Sequence, residues 1–130
     1  LPANPSANAK SALKAIQFFP LSAVTVTLST TKLSIAVGEA LDVSHTVRVY
    51  ISGTTFRPEA ATLSNWTIAG ETTTNVVVTD IAVASDGSYV DITTENSAAA
   101  VAGSVTVVPA AAATATGDVP AAAIAIAAVA

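Results

Sequence analysis

Cysteine and methionine are absent from this chain of 130 residues, histidine occurs once, and only 11% of the residues are charged, where an ordinary globular chain has about 25%. Without cysteine there is no disulfide framework, no thiolate nucleophile and no cysteine-held zinc. The lack of both sulfur side chains removes the readily oxidised groups, which suits an exposed extracellular life. A single histidine excludes the paired-histidine metal motifs, and no glycine-rich phosphate loop is present. Five basic residues against nine acidic ones give a net charge of −4. That balance argues against nucleic acid as a partner, because binding phosphates requires clustered Lys and Arg. No apolar run reaches the roughly 20 residues that a membrane span needs.

What remains is 52% hydrophobic, with the polar surface left to Thr, Ser and Ala. A surface so poor in charge favours association, and burial against neighbouring copies would remove the solubility difficulty. The length fits one domain with a real core. The first residue is Leu1 rather than Met, which is read as the removal of a leader and hence as secretion to the cell surface or beyond.

Residues 1–22 are read as an N-terminal arm. Two early prolines hold residues 1–8 out of a helix, and residues 9–19 fit either a short helix stopped by Pro20 or an extended arm whose Phe18 and Phe19 dock on another subunit. From Pro20 onward the apolar residues recur with a period of two. Strands are expected at residues 24–29, 33–37, 41–52, 65–69, 75–84, 88–94 and 103–108. Asp86 and Gly87 are expected to supply the positive-φ residues of a tight hairpin turn. Residues 54–64 read as a connection with at most one helical turn, and 110–117 as extended or linker-like chain. About seven or eight short strands, with turn signals every ~8–12 residues, indicate an all-β protein, an antiparallel β-sandwich over residues 23–117.

Residues 118–130 form the remaining unit. From Pro120 onward no side chain carries a charge, hydroxyl or amide. Extended, this stretch spans roughly 36 Å, with Ile124, Ile126 and Ala128 on one face and Ala125, Ala127 and Val129 on the other. Neither face is suited to water, so the stretch is expected to complete a core, either its own or that of a neighbour.

Phe56, the run Leu63-Ser64-Asn65-Trp66-Thr67-Ile68, the strand at 76–81 and residues 102–107 together resemble the immunoglobulin-like repeats of bacterial and archaeal surface-layer and adhesin proteins. The likeness covers residues 56–115 and implies a sandwich on the outside of a cell, with no activity attached. The whole profile, a cysteine-free Thr/Ala-rich sandwich with an apolar terminal strand, is similar to pilin-like subunits of extracellular filaments built by donor-strand complementation, archaeal ones included.

Catalysis finds little support. His45 shares a strand face with Val43, Val47 and Val49, as a core or interface imidazole would, and no serine sits in a nucleophile-elbow pattern. The chain is read as a non-enzyme without cofactor. Asp80, Asp86, Asp91 and Glu95 are the one acidic set worth weighing for calcium, although no loop has a calcium-binding spacing. Asn65-Trp66-Thr67 is an open N-glycosylation acceptor. Trp66 fits either a core plug or, with Tyr50 and Tyr89, a sugar-stacking platform.

The expected function is that of a structural subunit of a self-assembling extracellular filament or pilus, a helical homopolymer serving adhesion, biofilm matrix or cell connection, with other cells or glycans as further partners. The alternatives are an autonomous immunoglobulin-like module of a surface protein and an extracellular carbohydrate-binding module. Ile124, Ile126 and Val129 are candidates for a donated strand, worth about 1.5–3 kcal/mol each on full burial. Backbone ordering opposes this by about 1–2 kcal/mol per residue, so the tail is near break-even by itself. Leu13, Ile16, Phe18, Phe19 and Leu21 of the arm are equal candidates.

Overall fold

A computed structural model describes residues 24–130. The arm at 1–22, with its proposed helix at 9–19, lies outside the described residues.

Eight strands run in chain order: β1 (Thr27–Thr30), β2 (Leu33–Ile35), β3 (Ser44–Ser52), β4 (Trp66–Ala69), β5 (Val76–Val83), β6 (Tyr89–Asn96), β7 (Gly103–Pro109) and β8 (Ile124–Val129). They form two four-stranded sheets, β1-β3-β6-β5 and β2-β8-β7-β4, and the molecule is an all-β sandwich. The alternation in the sequence accounts for the inner faces. Val47, Val49 and Ile51 of β3, Val90 and Ile92 of β6, and Val105 and Val107 of β7 are buried, while their neighbours face outward. β-Branched residues dominate these positions because they pack well on a pleated, half-buried surface.

The sheets are not uniformly antiparallel, as the sequence reading had them. The chain leaves the first sheet after β1, crosses at Thr31 and Lys32, and enters the second as β2, which pairs with β8 in parallel: Leu33, Ser34 and Ile35 lie opposite Ala127, Ala128 and Val129. Of the two roles expected for residues 118–130, β8 takes the core-completing one within this chain. β8 is an inner strand of its own chain, with β7 antiparallel on one side and β2 on the other.

The expected split of β8 into two uniform faces also fails. Val105 pairs with Ala127 and Thr106 with Ala125, so Ile126 is an extra residue, and the phase of the strand shifts there. A second bulge falls at Thr79, between Val78 and Asp80 in β5.

The β5–β6 hairpin forms where expected, with a different turn. Only Gly87 has positive φ (72°); Gly87 N donates to the Ala84 carbonyl at 2.9 Å, a type of turn closed by one left-handed residue. Asp86 contributes through its carboxylate, which accepts from Ser88 N (3.0 Å) and Ser88 Oγ (2.7 Å). These bonds hold the Asp86 carboxyl below its ordinary range.

The connection before β4 contains two 3₁₀ turns, Pro58–Ala61 and Leu63–Asn65. Residues 110–117 are packed rather than linker-like. They include a 3₁₀ turn at Ala111–Ala113, Ala113 and Thr114 are buried, and Thr114 bridges to Phe56. A four-residue helix, α1 (Glu71–Thr74), has no counterpart in the sequence reading. It follows Gly70, whose φ of 86° and contact with the Ser104 carbonyl leave no room for a Cβ. Among the described residues, no helix is long and apolar enough to cross a membrane.

Candidate functional site

Of the strand-donation candidates, Ile126 (0% exposed) and Val129 (3%) fill the core of their own chain, and Ile124 packs against it partly buried. Leu13, Ile16, Phe18, Phe19 and Leu21 lie outside the described residues.

Among the described residues, a ladder position is left unpaired beside β8. β2 is only three residues long and covers Ala127 to Val129. Upstream of that point β8 has β7 on one side, and no described strand pairs with Ile124 to Ile126 on the other. The reason is the crossover: the chain that would have filled this position is still in the opposite sheet as β1. An open groove of about 340 Å³ results. Residues 25–28 form one wall and residues 120–124 the other, so the groove runs along the seam between the sheets. Val26, Leu28, Pro120, Ile124 and three consecutive alanines line it; Thr25 and Thr27 add hydroxyls, and no charged side chain takes part. Such a lining offers few polar partners and suits apolar groups. Val24 and Val119, next in sequence to its walls, are 65% and 46% exposed.

At the opposite end of the sandwich His45 Nε2 donates to Glu39 Oε2 at 2.9 Å, since an ionised carboxylate can only accept. The same oxygen accepts from Asn96 Nδ2 at 2.8 Å. These two bonds, the one from His45 first, hold the Glu39 carboxyl below its ordinary value. Asn96 is fully buried, and its Nδ2 also reaches the Ala40 carbonyl at 3.2 Å. The imidazole is thus a tether for the β2–β3 connection.

The outer face of the first sheet carries Arg48, which bonds both Asp91 oxygens at 2.8 and 3.0 Å and lies 3.8 Å over the Tyr89 ring. The pair lowers the Asp91 carboxyl and raises the guanidinium. Tyr50 meets Tyr89 edge-on, with ring centres 5.8 Å apart. Asp91 is thereby committed to Arg48 and Asp86 to its turn, while Asp80 and Glu95 face Thr93 and Val77 across the β5–β6 ladder. Among the described residues no three acidic or histidine side chains gather as metal ligands.

Trp66 is a core plug. It is 6% exposed, its Nε1 donates to the Ala60 carbonyl at 2.7 Å, and its ring packs 5.6 Å from that of Phe56. It presents no face to a sugar. Asn65, next to it, donates through Nδ2 to the Glu59 carbonyl at 2.9 Å; a glycan on that nitrogen would replace one of its two hydrogens and leave one to donate.

Sequence reasoning did not find the groove. The one signal available was the alanine run at 121–123, small side chains beside a proline, which leaves a wall without bulk. No known family, curated protein or solved structure matches the chain.

Proposed function

We propose that the chain is the structural subunit of an extracellular filament whose copies are joined by β-strand complementation. The observation that carries this reading is the ladder position beside Ile124 to Ile126, which no described strand fills and which opens onto an uncharged apolar groove. A strand added there gains main-chain hydrogen bonds of about 0.5–1.5 kcal/mol each and places alternate side chains in the groove. The low charge of the chain supports the same reading, because head-to-tail contacts that do not close generate filaments and bury surface poor in charge. Secretion, and a role in adhesion, matrix or cell connection, belong to this proposal.

Electron microscopy and sedimentation of the purified chain over a range of concentrations test it. The expected result is fibres that lengthen as concentration rises; discrete monomers at every concentration would sink the reading.

A second reading has its own support. β8 already completes its own sheet, which favours an autonomous immunoglobulin-like module of a larger surface protein. That module would remain monomeric in the same experiment.

A further inference from the structure

We infer that Asn65 carries an N-linked oligosaccharide, and that this glycan shields the free edge of β4. The inference rests on the export that belongs to the reading above, and it stands apart from whether the copies polymerise.

The fold presents the acceptor. Asn65 ends the 3₁₀ turn Leu63–Asn65, and β4 starts at the next residue. Trp66 is buried, whereas Asn65 is partly exposed and Thr67 exposed, so the two defining residues of the Asn-x-Thr acceptor reach the surface on either side of a core residue. Short exposed residues stand around Asn65: Ser64 precedes it, and Thr62 and Ala110 are hydrogen-bonded to its backbone at 3.0 and 2.7 Å.

The transfer makes one bond and breaks one. Asn65 Nδ2 displaces phosphate from C1 of the first sugar of a lipid-phosphate-linked oligosaccharide. The N–C1 bond forms, the C1–O bond breaks with its electron pair leaving on the lipid phosphate, and one proton passes from Nδ2 to solvent. The hydrogen that stays on Nδ2 can still donate to the Glu59 carbonyl, which ties the root of the glycan to the turn at Pro58–Ala61.

What lies beside Asn65 gives the glycan its role. β4 is the outermost strand of its sheet, with β7 on one side and no described strand on the other. The Ala110 N–H bond to the Asn65 carbonyl sets the phase of the ladder, so Thr67 and Ala69 bond to β7 while the Ile68 N–H and carbonyl face the free side. Exposed edges of this kind invite strand addition, and they are ordinarily blunted by charge or proline.

β4 has neither, and no residue of β2, β4, β7 or β8 is charged. The comparison with β5, an edge of the first sheet, is direct. There the Glu71 carboxylate accepts from Val78 N at 2.9 Å, and a bulge at Thr79 interrupts the strand. The edge of β5 thus carries a guard made of protein. The edge of β4 lacks one and begins one residue after a glycan acceptor. A bulky, hydrated group rooted there blocks the approach of another strand and supplies the solvation that the uncharged sheet does not.

The test uses the full chain recovered from the cells that produce it. A protease that cuts after glutamate releases residues 60–71, in which Asn65 is the sole asparagine. Mass spectrometry with fragmentation is expected to find this peptide heavier by an oligosaccharide placed on Asn65. Thr67→Ser keeps the acceptor and is expected to keep the sugar; Thr67→Ala keeps the Asn65 side chain and is expected to give the bare mass. Light scattering at rising concentration then reads the role: Thr67→Ala is expected to aggregate at a lower concentration than the parent, and Thr67→Ser is not. A bare peptide from the exported parent chain overturns the inference, and fibres in the same sample leave the filament standing. Sugar placed on Thr62, Ser64 or Thr67 instead, or a chain kept inside the cell and bare, overturns it too. Glycosylated chains that stay monomeric support the inference and sink the filament. Equal aggregation of Thr67→Ala and a glycosylated parent overturns the shielding role.

Discussion

Ile126 and Ala127, consecutive in β8, are both fully buried. In a regular strand they would point to opposite faces; the bulge at Ile126 brings both into the core and also turns Val129 inward. Ile126 is therefore a principal core residue of the chain's own sandwich. Ile126→Ala is expected to cost about 2–5 kcal/mol of stability, and Ile124→Ala, only partly buried, distinctly less. Urea unfolding followed by circular dichroism checks this; equal effects of the two would mean that β8 does not hold this register.

Trp66 is the only tryptophan and sits beneath the 3₁₀ turn at Pro58–Ala61. Its fluorescence is expected to be blue-shifted in the folded state and to move red on unfolding. Trp66→Phe preserves ring packing against Phe56 but leaves the Ala60 carbonyl without its donor, a loss of about 1–3 kcal/mol. Trp66→Ala removes the ring too and is expected to cost about 3–5 kcal/mol. Denaturant midpoints of the two variants, measured side by side, separate the hydrogen bond from the packing.

Acid sensitivity follows from three carboxylates. Glu39 is lowered by His45 and then Asn96, Asp91 by Arg48, and Asp86 by Ser88. A carboxyl lowered on folding stabilises the ionised native state. That contribution is complete above the unfolded value, about 4.5 for Glu39 and 3.8 for the aspartates, and is lost as pH falls through the lower folded values. The melting temperature is expected to fall on acidification below about pH 4.5, with Glu39→Gln showing a shallower fall than the parent. Parallel curves for parent and Glu39→Gln from about pH 3 to 7 would remove Glu39 from this account.

Thr94 Oγ1 is buried without a hydrogen-bond partner among the described residues. Replacing the hydroxyl by a methyl of similar shape relieves that group at almost no cost in packing. Thr94→Val is expected to leave stability unchanged or raise it by about 1 kcal/mol, and thermal unfolding gives the sign.

The parts of the fold legible in the sequence are those where the pattern is local. Val47, Val49 and Ile51 alternate with polar residues, and one strand face follows at once; Gly87 marks the hairpin for the same reason. Long-range pairing decides the rest. Nothing near Leu33 announces that it will lie parallel to Ala127, and in β8, where alanines occupy both faces, no alternation exists to reveal the bulge. Residues 110–117 read as a linker because alanine carries no directional signal, yet the Ala113 carbonyl accepts from Arg57 N–H, and Ala110 and Ala115 N–H donate to the Asn65 and Thr55 carbonyls, which ties them to the connection before β4. α1 was hidden because three threonines favour strands by propensity, and Gly70 with the Glu71 carboxylate accepting from Val78 N (2.9 Å) overrides that. The groove is the extreme case, since it is an unfilled position between residues some ninety apart in sequence.

The position of β8 also sets an order of events. Sheet β2-β8-β7-β4 has its joining strand at residues 124–129 and its edge at residues 33–35. A chain delivered from its N-terminus has β2, β4 and β7 once residue 109 is made, still with no described strand to connect β2 to the others. Its second sheet closes only when residues 124–129 arrive, a late, long-range step that slows folding. Until then the first sheet, complete at Asn96, has only part of its partner to pack against.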